Sequence, residues 1–173
     1  MVKYVCVLIL AIVFAAPAFA QDVPQIEIAL GYGNINVKDV AEGRHSGFVS
    51  HQAFNLNSVF AIENFIGYYG MGKDPAVGKV QLFTDIFGGR FNYRKFGPVI
   101  YGIAGLGGGF LIFPDYGSGT QNSMAYRLGG GVDVPLGDSL AIKVDVSRTS
   151  FHFLDAWRSG VNISTGIVLK ISQ

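Results

Sequence analysis

The chain has almost no cysteine, few charges and no long apolar run beyond its first twenty residues, and each shortage removes a class of protein. Cys6 is the single cysteine and falls within the expected leader, so the remainder has no disulfide, thiol nucleophile or zinc–cysteine site. Charged residues make up 14% of the sequence against 50% hydrophobic, a balance poorer in charge than an ordinary water-soluble domain. With Lys3 set aside, twelve Lys and Arg face twelve Asp and Glu. That neutrality excludes the basic footprint of a nucleic-acid binder and polybasic steering to a membrane. After residue 20 no stretch approaches the roughly 18 apolar residues of a membrane helix. A place in a bilayer therefore requires a closed barrel. The 24 glycines recur without a fixed period, so the chain is neither a collagen nor a solenoid.

What is present begins with residues 1–20, which read as a cleaved signal peptide. Lys3 gives the positive start, Val5 to Phe14 the apolar run, and Ala18-Phe19-Ala20 the small-x-small site before Gln21. Residues 21–173 then form one domain. Its clearest stretch is Val161 to Ile171, where Val161, Ile163, Thr165, Ile167, Leu169 and Ile171 alternate with Asn162, Ser164, Gly166, Val168 and Lys170. A period of two is a strand with one oily face and one small or polar face.

The same pattern predicts seven further strands: Gln25–Asn34, about Phe48–Phe60, about Ile66–Met71, Val80–Tyr93, Val99–Phe110, Ser123–Val134 and Leu140 to about Ser150. Ile62 to Phe65, Arg94 to Pro98 and Pro135 to Ser139 read as tight turns. The connections 35–47, 72–79, 111–122 and 153–159 are longer and rich in Gly, Pro, Asp, His and Arg. Short turns alternating with long loops, and an even strand count, point to an all-β, eight-stranded antiparallel up-and-down transmembrane barrel.

The second face of the strands decides which side meets lipid. On the sixth it is Ser123, Ala125, Arg127, Gly129, Gly131 and Asp133; on the seventh, Ala141, Lys143, Asp145, Ser147 and Thr149. Small residues with a few charges of both signs suit a narrow lumen that side chains must fill. If Val134 lies opposite Leu140, Asp133 is diagonal to Lys143 and Asp145 to Arg127, within cross-strand reach. Closure of the first strand on the last brings Glu27 near Lys170. These residues and Arg90 are the expected lumen ion pairs. Tyr32, Phe48, Phe60, Phe65, Phe91, Tyr93 and Tyr101 are expected in outward-facing aromatic girdles. Asp85 falls among the outward Phe83, Phe87 and Phe91, so either a bulge re-aims it or it sits at the outer rim.

Three segments resemble the small outer-membrane β-barrels of Gram-negative bacteria, the eight-stranded OmpA/OmpX type. They are Leu82-Phe-Thr-Asp-Ile-Phe-Gly-Gly-Arg-Phe-Asn-Tyr-Arg94, Ala125-Tyr-Arg-Leu-Gly-Gly-Gly-Val-Asp-Val134 and Val161-Asn-Ile-Ser-Thr-Gly-Ile-Val-Leu-Lys170. The resemblance covers nearly the whole chain after the leader. It implies a bacterial outer-membrane location among outer-membrane lipid, assembly by the barrel-insertion machinery, and a non-enzymatic structural, surface-interaction or porin-like role. Such chains commonly end in an aromatic residue, whereas this one ends Ile171-Ser172-Gln173.

Few residues are arranged for chemistry. His45, His51 and His152 have no ligand-spaced partners and read as loop or rim residues, so no metal or cofactor is expected. The glycine clusters 105–109 and 129–131 lack the Lys-Ser/Thr and the helix of a phosphate loop. Ser150, His152 and Asp155 lie close in sequence, the residue types of a lipid-A-modifying barrel enzyme, but Phe153 follows the histidine and a catalytic His-x-Ser pattern is missing. The reading is a monomeric, non-enzymatic barrel whose external loops carry any contact, with Tyr116, Trp157 and Arg158 as contact residues. The competing reading is a soluble exported barrel with an apolar ligand in its core.

Overall fold

Alternation with a period of two runs through eight segments, and each becomes a strand: β1 Ile26–Val37, β2 His45–Asn55, β3 Phe60–Asp74, β4 Gly78–Tyr93, β5 Val99–Phe113, β6 Gly119–Pro135, β7 Leu140–Phe153 and β8 Ala156–Ile171. The computed structural model describes residues 23–37, 43–74, 78–115, 119–153 and 155–171. The expected leader and Tyr116 lie outside the described residues. Each strand pairs antiparallel with its chain neighbour, and β1 closes on β8 from Ile26↔Ile171 to Val37↔Gly160. Closure leaves no open edge, so every strand finds its hydrogen bonds within the sheet.

At one end the strands join by short turns over residues 56–59, 94–98 and 136–139. The first of these corrects the sequence reading. The segment Ile62–Phe65, expected as a turn, lies inside β3, and the chain reverses at Leu56–Val59. Asn57 fixes that reversal: its Oδ1 accepts from the backbone N–H of Val59 and Phe60, both at 2.8 Å. The strands at the opposite end run further than alternation alone indicates, so the connections there are shorter than the expected loops. The expected sorting into a short-turn end and a long-loop end is therefore corrected: the connections 75–77 and 154–155 are shorter than any turn at the other end, because β3, β4, β7 and β8 extend through the expected loops. A register shift between Gly70 and Lys73 bends β3 there, with Gly72 at a φ of 89° that side-chain-bearing residues avoid.

The two faces sort as a membrane barrel requires. Ile163, Ile167 and Leu169 are 38%, 50% and 49% exposed, whereas Arg127 and Lys143 are 0% and 2%. A water-soluble barrel would show the reverse, and that alternative falls. Phe54, Phe91, Tyr93 and Phe96 project outward near the short turns, and Tyr32, Phe48, Tyr68 and Trp157 toward the other end. Two of the expected girdle residues point inward instead. Phe65 is buried because β3 starts at Phe60 and sets odd positions inward; Tyr101 is buried because β5 does the same.

Candidate functional site

Inward positions are odd-numbered on β1, β2, β3, β5, β6 and β7, and even-numbered on β4 and β8. That parity brings eight charged side chains from five strands and one turn into the half of the lumen nearer the short turns. Glu63, fully buried on β3, is the hub. Its Oε2 lies 3.2 Å from Arg90 Nη1 and its Oε1 lies 3.2 Å from Arg127 Nη1 and 3.0 Å from His51 Nδ1. Arg90 continues to Asp133 at 2.6 Å and Glu27 at 3.4 Å, and Lys143 meets Asp133 at 3.0 Å. Arg127 reaches Asp145 at 2.7 Å, and Tyr101 Oη donates to the same carboxylate at 3.0 Å. The guanidinium of Arg90 and the ammonium of Lys143 lie 3.9 and 4.1 Å from the centroid of the Tyr101 ring. Arg94, entering from the turn, closes the end by bonding Glu27 at 2.9 Å and Asn55 at 3.0 Å.

Four carboxylates (Glu27, Glu63, Asp133, Asp145) thus meet four strong bases (Arg90, Arg94, Arg127, Lys143), and the enclosed charge balances. Taking ions out of water is unfavourable by several kcal/mol each unless they are paired and hydrogen-bonded, which is what this lattice supplies. Glycine makes the room. A side chain at Gly131 would lie 2.6 Å from Tyr101 Oη, and one at Gly129 would collide with Ser147.

The register differs by two residues from the expected one: Val134 lies opposite Ile142, and Pro135 remains in β6 opposite Ala141. Asp133 and Lys143 therefore face each other directly. Arg127 sits opposite Thr149 and extends past Gly129 to reach Asp145, which pairs with Gly131. The expected Glu27–Lys170 pair is not formed. The two residues are opposite across the closing seam, yet the carboxylate of Glu27 is taken by Arg90 and Arg94. Lys170 stays half-exposed at the rim, where a hydrated ammonium is better placed.

Sequence reasoning missed Glu63 and Arg94, both read as turn residues, and His51, read as a loop or rim residue. Starting the third strand at Phe60 would have exposed all of the β3 parity. It also missed the other half of the lumen, expected to be small and polar. There Ile35, Val37, Leu82, Ile86, Phe151 and Phe153 pack into an apolar core. Phe65 sits where the two halves meet, with the Arg127 guanidinium 4.1 Å from its ring centroid and His51 edge-on at 5.0 Å.

On the lipid-facing side Asp85 keeps its outward position, and no bulge interrupts its pairing with Ile66 and Gly108. Instead Asn64 Nδ2 donates to its Oδ1 at 2.7 Å, and Gln52 stands opposite Asn64. Polar groups in hydrocarbon are unfavourable even when bonded to each other. Replacing both Asn64 and Asp85 with leucine is expected to raise stability in lipid vesicles by up to about 2 kcal/mol. A loss of stability would mean that this patch meets water or a partner.

No triad forms at the far end of β7. Ser150 Oγ bonds Ser159 Oγ at 2.7 Å and the His152 ring packs against Trp157 at 5.1 Å, while Asp155 occupies the turn at a φ of 60°. Trp157 and Arg158, expected in a loop, belong to the first turns of alternation in β8, with Trp157 outward beside Tyr126 at 5.2 Å. Among the described residues no helix is long and apolar enough to cross a membrane.

The fold is shared with solved structures of other outer-membrane proteins. Ail, the attachment invasion locus protein of Yersinia pestis, solved in complex with the heparin analogue sucrose octasulfate, is 16% identical over 85% of this chain and 99% of its own, with a TM-score of 0.59. Neisserial surface protein A is 11% identical over 84% and 96%, with a TM-score of 0.61. OprG from Pseudomonas aeruginosa is 10% identical over 87% and 97%, with a TM-score of 0.62. No curated protein sequence matches the chain. Residues 6–167 match the family described as outer membrane protein beta-barrel domain. With its closed eight-stranded sheet, oily exterior and interior packed by ion pairs in one half and apolar side chains in the other, the chain belongs to that family and resides in the bacterial outer membrane.

Proposed function

We propose that this outer-membrane barrel is a non-enzymatic, non-conducting scaffold whose exposed rim is its contact surface. One observation supports the reading above others: the lumen is filled along its length, by the ion lattice in one half and by the apolar core in the other. A hydrated ion would need to break several interlocked pairs and then cross a dry segment lined by Leu82, Ile86 and Phe151. The Ser150, His152 and Asp155 side chains lack the mutual contacts a hydroxyl nucleophile needs. Contact then falls to the outer ends of the strands, with Trp157 and Arg158 of β8 as the proposed residues, together with Tyr116 from the connection between β5 and β6. Purified protein in planar bilayers is expected to give no stepwise conductance. A steady open-channel current, absent from a preparation without protein, would overturn the non-conducting reading in favour of a porin-like one.

A further inference from the structure

At the outer end of β7, β8 and β1 the lipid-facing surface carries a groove of about 590 Å³. Its lining includes Arg44, Arg148, Arg158, Trp157, Asn34 and Asn36, and no carboxylate. Arg148 occupies an outward position of β7, directly after the apolar outward run Leu140, Ile142, Val144 and Val146. It therefore stands where hydrocarbon gives way to headgroups. Among the described residues neither the Arg44 nor the Arg148 side chain has an ion-pair or hydrogen-bond partner. Asn34 Oδ1 accepts from Ser46 Oγ at 2.8 Å, which leaves its amide NH₂ to donate into the groove. Guanidinium forks and amide donors together suit phosphate oxygens.

The groove does not end there. The pair Asn34↔Ile163 at its base is followed along the β1–β8 seam by Tyr32↔Thr165 and Leu30↔Ile167. Those four residues, with Ile142, line a second, almost wholly apolar groove of about 830 Å³. Thr165 is short between Ile163 and Ile167, so the outward surface dips at that level. A cationic pocket thus sits directly above an oily channel, in register on the same two strands.

We propose that this seam binds a phosphate-bearing, acylated lipid of the outer leaflet. Its phosphate lies between Arg44 and Arg148, its polar headgroup meets Asn34, Asn36 and Trp157, and one acyl chain lies over Thr165. The site gives one sector of the rim a lipid partner, and it stands whether or not the barrel conducts ions.

The test uses the folded protein in nanodiscs of phosphatidylcholine doped with lipid A, either phosphorylated or enzymatically dephosphorylated. Native mass spectrometry counts the lipid retained after mild detergent release. The phosphorylated form is expected to be retained over the dephosphorylated one. Each arginine is expected to contribute about 5-fold, so that Arg44→Gln with Arg148→Gln loses about 25-fold. Arg148→Lys should keep most of the retention, Thr165→Trp should reduce it by filling the lower groove, and Lys95→Gln at the opposite end should change nothing. Heat-modifiable gel migration identifies a variant that has not folded, in which case the single Arg148→Gln replaces the double. Equal retention of both lipid forms, or retention unaltered by the arginine variants, would overturn the proposal. So would displacement by inorganic phosphate together with indifference to Thr165→Trp, which would mark a site for free anions.

Discussion

Glu63→Ala is expected to lower the unfolding free energy of the barrel in lipid vesicles by about 3–5 kcal/mol. The substitution strips the hub from Arg90, Arg127 and His51 at once. Two guanidiniums would then be held in a dry lumen with only Asp133, Glu27 and Asp145 to oppose them. Glu63→Gln keeps two polar atoms in place while removing the charge, so its loss should be smaller. Urea titration read by the single tryptophan, Trp157, and by heat-modifiable migration measures both variants. A loss below about 1 kcal/mol for Glu63→Ala would show that water reaches the lattice and screens it.

Val144→Arg is the second large effect, with an expected loss of about 2–4 kcal/mol for a cation carried into the bilayer midplane. Val144 faces outward on β7, opposite Val132 and Thr165 and between Ile142 and Val146. Its chain neighbour Lys143 is already charged, yet it points inward to Asp133. The same charge is therefore tolerated or penalised according to a shift of one residue. Leu136→Arg, in a short turn where headgroups and water are near, provides the comparison and should cost about 0–1 kcal/mol. Equal effects at the two positions would remove hydrocarbon from the outer face.

Much of this architecture is legible in the residues because alternation is a strong signal wherever both faces are chemically distinct. β8, β6 and β7 show it plainly, and with them the inward placement of Arg127, Asp133, Lys143 and Asp145. Where the faces are alike, parity fails as a guide. Around Phe60 to Phe65 both faces carry apolar and polar residues, and the reversal depends on one side chain, Asn57, bonding two backbone amides. Misplacing that turn concealed Glu63 and sent Phe65 to the wrong side. Long-range partners lay beyond reach for another reason. Glu27 and Arg94 are 67 residues apart, and only the closed sheet, with its tilt and stagger, brings their ends together. The apolar half of the lumen is also illegible to a pattern that expects an oily outer face, since on β4 the inward Val80, Leu82 and Ile86 alternate with Lys79, Gln81, Phe83, Asp85 and Phe87, a mixed set.

The strands overshoot what a membrane demands. Crossing takes about 9–11 residues of tilted strand, and β6 has 17 and β8 has 16. The surplus continues the hydrogen-bonded cylinder beyond the length a membrane crossing needs. A binding partner would meet a preformed contour instead of a slack tether, and little freedom would have to be frozen on docking. Change in such a molecule is then easiest at the crown, where side chains can be exchanged without disturbing the wall that carries them.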